Sequence, residues 1–327
     1  MTSLSLFAPI EPYQHDYLEV GDGHQVYFEQ SGNPDGIPVI FVHGGPGGGC
    51  DPINRQLFDP QFYRIIMMDQ RGCGKSLPHA CLQHNTTWHL VGDLERLRET
   101  LHIDSWIVFG GSWGSTLGLA YAQSHSENVL ALVLRGIFLL RRQELLWLYQ
   151  QGASFLYPEE FERYCSVIPK HERGDLMSAF YRRLTGSDQE EALRAARAWS
   201  RWEGALLSMM PNEQRANDFM EDQFALAFAR IECHYFVHGG WFRDDDQLLR
   251  DVGHIRHIPA YIIHGRQDVV TPIDNAWQLA KRWPEANYIP VEGAGHAFDE
   301  PGILAELLLA MENLKPIANQ FISSRRK

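Results

Sequence analysis

FGGSWGSTLGLAYA, residues 109–122, sets glycines on both sides of a serine and a tryptophan. Ahead of it, SWIVFGG reads as a buried strand; behind it, STLGLAYAQSH has the apolar spacing of a helix. Gly110 to Gly114 therefore matches G-x-S-x-G at a strand-to-helix junction, the context in which that motif exposes a nucleophile. Side chains at the flanking positions would collide with the neighbouring strand or helix, which is why glycine is needed there. Ser112 is the expected nucleophile. The backbone N–H of Trp113, at the helix start, is an expected oxyanion donor.

The same alternation extends outward. YLEVGDGHQVYFEQSG carries an Asp22-Gly23 turn and predicts a β-hairpin. PVIFV (38–42), YRIIMM (63–68) and VLALVLRG (129–136) are short apolar runs of the kind that form buried parallel strands. Residues 88–102 repeat leucine at helical spacing. Strand texture returns at PAYIIHG (259–265) and NYIPVEG (287–293). Between these blocks the chain is rich in Trp, Tyr, Arg and Glu. Ala195, Trp199, Trp202 and Leu206 share one predicted helix face, and Phe224, Phe228, Ile231 and Tyr235 another. The reading is an α/β fold with a mostly parallel sheet and an inserted helical cap. Residues 1–138 form the first part of the core, 139–249 the cap and 250–327 the second part.

Two further loops complete a constellation. HGRQDVVTP puts Asp268 after one strand, and VEGAGHAF puts His296 after the next. Ser, Asp, His is the chain order of the α/β-hydrolase triad. HGGPGGG (43–49), after the first core strand, resembles the loop that supplies a second oxyanion donor, for which Gly45 is the expected residue. The glycines do not satisfy G-x-G-x-x-G. RGCGKS lacks the earlier glycine of a phosphate-binding loop, since Asp69 stands there. No nucleotide or other cofactor is expected. His234 and His238 are four apart but lack H-E-x-x-H and an obvious third ligand, so no metal is expected either.

Bulk properties agree. Of 327 residues, 44% are hydrophobic, ordinary for a globular chain, and the net charge of −12 argues against nucleic acid or an anionic membrane as partner. Five scattered cysteines with no C-x-x-C indicate neither a disulfide framework nor a zinc ribbon, and fit a cytoplasmic setting. The N-terminal stretch lacks the basic and apolar regions of a signal peptide, and VLALVLRGIFLL is interrupted by Arg135. A homo-oligomer is compatible with the sequence, which does not fix the oligomeric state.

HGGPGGG, DQRGCGKS, GGSWGSTLGLAYA, GRQDVVTP and GAGHAFDEP together closely resemble the proline iminopeptidases of the α/β-hydrolase fold, peptidase family S33. The likeness runs from about residue 7 to the last helix. It implies a serine exopeptidase that releases proline from peptides with an N-terminal proline, without cofactor or metal. Such an enzyme must hold a free cationic amine. The resemblance assigns that role to Glu203, in AWSRWEGALL, and to Glu232, in ARIECHYF. It likewise implies an apolar slot for the pyrrolidine ring, with Phe138, Tyr149 and Phe236 as candidates. A carboxylate about 4 Å from an ammonium gains roughly 4 kcal/mol at an effective dielectric near 20, before desolvation costs. The triad alone is equally compatible with an esterase or amidase acting on another small acyl substrate.

Overall fold

The computed structural model describes residues 5–325, with side chains from 5 to 316. Met1–Leu4, where the N-terminal stretch discussed above begins, lie outside the described residues. The predicted hairpin forms as β1 (Gln14–Gly21) and β2 (His24–Gly32). Asp22 and Gly23 both have positive φ, 56° and 79°, as a tight hairpin turn matching the strand twist requires. The apolar runs become β3 (Ile37–Val42), β4 (Tyr63–Met68), β5 (Trp106–Gly111), β6 (Val129–Arg135), β7 (Ala260–Gly265) and β8 (Asn287–Val291).

These strands make one sheet in the order β1-β2-β4-β3-β5-β6-β7-β8. Pairing is parallel from β4 through β8, while β1 pairs β2 and β2 pairs β4 antiparallel. The hairpin is thus the antiparallel margin of a parallel sheet, and most of the outer strand β1 is exposed and carries charged and polar residues.

Register brings the site loops together. Val42 lies opposite Gly110, and Gly111 opposite Arg135, so the chain leaving β3, β5 and β6 emerges at one edge. Gly265 lies opposite Val291, which aligns the loops after β7 and β8 at that edge as well. This is the crevice at the carboxyl ends of parallel strands where α/β proteins place their sites.

Two helices, α1 (Thr87–Thr100) and α2 (Trp113–Ser124), connect the early strands. Seven more lie between β6 and β7: α3 (Arg142–Tyr149), α4 (Pro158–Ser166), α5 (Leu176–Leu184), α6 (Gln189–Leu206), α7 (Glu213–Asp218), α8 (Asp222–Val237) and α9 (Gln247–Arg250). After β7 come α10 (Asp274–Arg282) and α11 (Pro301–Arg325).

The α6 helix forms because Asp188 caps it, accepting from the N–H groups of Glu190 and Glu191 at 3.0 Å, and because its interior is rich in alanine. Its buried face carries Trp199, Trp202 and also Glu203. Trp199 stacks on Tyr149 with ring centroids 4.2 Å apart. Truncating such a buried tryptophan costs about 3–5 kcal/mol. One hydrophobic cluster runs from the sheet face under α2 up into these helices, while α11 closes a second cluster on the opposite face. The inserted helices are therefore anchored to the core by shared burial. No helix among the described residues is long and apolar enough to cross a membrane.

Candidate active site

Ser112 stands between β5 and α2 with φ 57° and ψ −128°, a conformation that disfavours any residue with a side chain. Such strain costs about 1–3 kcal/mol and is held by the surroundings. Its N–H donates to the carbonyl of Arg135 at 2.9 Å. A Cβ on Gly110 would strike the Gly114 carbonyl, and one on Gly114 would strike the Val42 carbonyl. Those two contacts are the physical reason for glycine on each side of the serine.

Asp268 and His296 meet across the β7 and β8 loops. The His296 Nδ1 lies 2.7 Å from Asp268 Oδ2, and both residues are buried. Oδ1 of Asp268 accepts the N–H of Val270 at 3.0 Å and of Thr271 at 2.9 Å, and the Thr271 hydroxyl donates to Oδ2 at 3.0 Å. Burial alone would raise the Asp268 carboxyl, but His296 and His264 outweigh it and hold the group far below the carboxylate range. An ionised carboxylate only accepts, so His296 carries its proton on Nδ1 and leaves Nε2 as a free base. Burial pushes His296 below the ordinary histidine range, against the pull of Asp268.

Arg135 and Gly136, which the sequence reading passed over, brace this geometry. The Arg135 guanidinium donates to the His296 carbonyl. Gly136 has φ 52°, and a Cβ there would sit 2.9 Å from His296 Cε1. Ser112 and His296 line one cleft of about 580 Å³. The Ser112 hydroxyl has no hydrogen-bond partner among the described residues. Such contacts in unliganded sites often close only when substrate is bound.

Gly45 lines the same cleft beside Ser112. Neither its N–H nor that of Trp113 has a partner among the described residues. Gln70 ties their loops together: its N–H donates to His43 Nε2 and its side-chain amide to the His43 carbonyl, each at 3.0 Å, while Trp113 Nε1 donates to Gln70 Oε1 at 2.8 Å. Both N–H groups are left free to donate, one in the residue that follows Ser112 and one in the cleft wall beside it.

A narrow pocket leads from Ser112 into the helical insertion. Gly45, Phe138, Tyr149, Glu203, Glu232 and Phe236 all line it. Glu203 is 5% exposed and Glu232 1%. The Tyr149 hydroxyl donates to Glu203 Oε2 at 2.7 Å, and Trp199 Nε1 to Glu232 Oε2 at 2.7 Å. Tyr149, read from the sequence as apolar lining, thus also offers its polar end. Burial pushes Glu203 up to about 7 and, with Glu203 adjacent, Glu232 well above the carboxylate range. Two buried carboxyls that raise each other in this way resist ionising together, so the pocket favours a single negative charge.

Glu144, a third buried carboxylate in the pocket wall, was not singled out from sequence. Its oxygens are taken by Arg141 Nε at 2.6 Å and by Leu139 N and Asn275 Nδ2, each at 2.9 Å. It is held in the framework and is not available to a ligand. Nδ1 of His234 meets the Tyr181 hydroxyl at 2.9 Å, and Nδ1 of His238 meets the His234 carbonyl at 2.7 Å.

A serine set on a strained turn, a buried Asp–His pair and two unpaired N–H groups in the loops beside the serine define a serine hydrolase of the α/β type. Residues 37–299 match the family described as alpha/beta hydrolase fold. A proline iminopeptidase of Arabidopsis thaliana is 54% identical over 314 residues, 96% of this chain and 83% of that one. A proline iminopeptidase of Xylella fastidiosa is 53% identical over 309 residues, 94% of this chain and 99% of that one. The crystal structure of a proline iminopeptidase from Mycobacterium smegmatis shares the fold at 18% identity, with a TM-score of 0.63 over 94% of this chain and 99% of that one. The chain belongs to the proline iminopeptidase family.

Proposed function

We propose that Ser112, His296 and Asp268 form the catalytic triad, that the N–H groups of Gly45 and Trp113 form the oxyanion hole, and that Glu203 and Glu232 hold the substrate amine. The reaction is release of proline from the N-terminus of peptides. His296 Nε2 takes the Ser112 proton as the oxygen attacks the prolyl carbonyl, and passes it to the departing peptide nitrogen. The resulting prolyl ester is attacked by water, whose proton goes to His296, and His296 returns it to Ser112 Oγ as the ester C–O bond breaks and proline leaves. Asp268 keeps the imidazole in the Nδ1–H tautomer and stabilises its cation.

One observation carries the exopeptidase reading: two buried carboxylates, Glu203 and Glu232, line the pocket that opens from Ser112, where burial favours one negative charge between them. A cationic secondary amine neutralises that charge; an acylated nitrogen does not. The aromatic rings of Phe138, Tyr149 and Phe236 supply the apolar walls a pyrrolidine ring fits, and the cleft on the other side of Ser112 has room for the leaving peptide. Peptides with an N-terminal proline are the partners in this reading, and a cytoplasmic location accords with the scattered cysteines.

Proline β-naphthylamide and a simple acyl ester test the reading together. The prolyl amide is expected to be cut efficiently, with kcat falling at least about 10⁴-fold in Ser112→Ala. A strong preference for the ester would replace the peptidase by an esterase.

A further inference from the structure

Three residues far apart in sequence converge away from the catalytic cleft. Asp22 lies in the turn between β1 and β2, His84 in the loop before α1, and His89 in the first turn of α1. Asp22 Oδ1 is 4.0 Å from His84 Nδ1, and Asp22 Oδ2 is 3.9 Å from His89 Nε2. One ligand atom from each residue falls within 4.8 Å of the others. We propose that Asp22, His84 and His89 form a binding site for a divalent ion of the zinc class, outside the active centre and independent of the peptidase reading.

The donor set selects the ion. Two imidazoles and one carboxylate suit zinc and its neighbours; calcium and magnesium prefer all-oxygen shells. Tetrahedral zinc, with ligands at about 2.0–2.1 Å, needs donor atoms about 3.4 Å apart. The observed spacing closes to that with small rotations of side chains that are 34–52% exposed. The remaining position faces solvent and takes water.

His89 is already oriented for the task. Its Nδ1 lies 2.8 Å from the Thr86 hydroxyl, which leaves Nε2 turned toward Asp22. An outer partner on the second ring nitrogen is how ligating histidines are normally fixed. Arg71 comes within 3.6 Å of Asp22, but its charge is already matched by Asp93 through bonds of 2.6 and 2.8 Å. Bound metal would join the hairpin turn to the loop and helix beside it. It would not enter the reaction, since none of the three residues lines the pocket or the cleft.

Isothermal titration of chelator-stripped protein with zinc chloride tests the site. Asp22 and His84 have φ of 56° and 49°, so Asp22→Asn and His84→Asn keep residues tolerant of that conformation; His89→Gln completes the set. The wild type is expected to bind one equivalent, with affinity falling at least about 10-fold in each variant. His238→Gln should leave the isotherm unchanged. Added zinc should raise the melting temperature of the wild type and not that of the double variant His84→Asn/His89→Gln. Absence of a one-equivalent event, or its persistence in that double variant, would overturn the proposal.

Discussion

The carbonyl oxygen of Leu207 accepts the backbone N–H of His296 at 3.1 Å, and that of Ala297 at 2.9 Å. Leu207 is where α6 ends, one turn beyond Glu203. The loop that carries His296, the proposed general base, is therefore fastened to the end of the helix that carries Glu203, the proposed amine-binding carboxylate. Two side-chain contacts flank the joint: the Met209 N–H donates to Glu300 Oε1 at 2.7 Å, and Arg215 pairs with Asp299 at 2.6 Å.

Disturbing that joint should cost activity modestly. The Arg215–Asp299 pair is partly exposed, and such pairs contribute about 0.2–1 kcal/mol. Arg215→Ala and Asp299→Ala are each expected to lower kcat/KM by about 1.5–5-fold. Because both remove the same contact, the double variant should lose no more than the worse single. Losses that multiply would show the two residues acting separately.

The pH profile should separate two titrations. Ammonium binding needs the pair's one negative charge, and Glu203 is pushed up to about 7, so KM for a prolyl amide should rise as pH falls through that region and the charge is lost. His296 is held below the ordinary histidine range, so kcat should persist to lower pH before the base is protonated. A simple acyl ester, with no amine to bind, should show only the lower limb. A KM limb of equal size on both substrates would contradict the carboxylate role.

Glu203 should also cost stability. Its folded pKa lies above the unfolded value of 4.5, so the folded state binds the extra proton between them. The favourable contribution is full below pH 4.5 and is lost as pH rises through about 7. Glu203→Gln removes that loss. Thermal melts should show the variant gaining on the wild type from pH 4.5 toward alkaline pH. A constant difference across that range would mean the carboxyl titrates normally.

Gly136 should tolerate no side chain. An alanine there meets His296 at 2.9 Å and adds the cost of a positive φ, about 1–2 kcal/mol. Gly136→Ala is expected to lower kcat at least about 10-fold with little change in KM, because a misplaced base slows chemistry more than binding. Gly253, with open space around it, is the control, and Gly253→Ala should leave activity intact.

What could be read from sequence was what is local. G-x-S-x-G around Ser112, and single loop residues such as Asp268 and His296, announce themselves because the turn chemistry fixes them within a few positions. The strand runs were legible for the same reason, their apolar residues being buried on both faces. Arg135 was not: within VLALVLRG it reads only as an interruption, and its two tasks exist because β6 lies beside β5 in one register. Glu144 is as buried as Glu203, and only its tertiary partners show that one is spent on the framework and the other is not. The Asp22, His84 and His89 cluster has no spacing signature, because a hairpin turn and a loop about 60 residues later bring it together.

The central claim is that a carboxylate pair in front of Ser112 selects a free prolyl amine. Its most direct test is the ratio of kcat/KM for proline β-naphthylamide to that for the N-acetylated compound, in the wild type and in Glu203→Gln. The wild type should favour the free amine strongly. Glu203→Gln should reduce that ratio by about 10–100-fold, as loss of a charged hydrogen-bond partner predicts, while retaining a functional triad. An unchanged ratio in the variant would contradict the claim and leave the α/β-hydrolase triad without its aminopeptidase specificity.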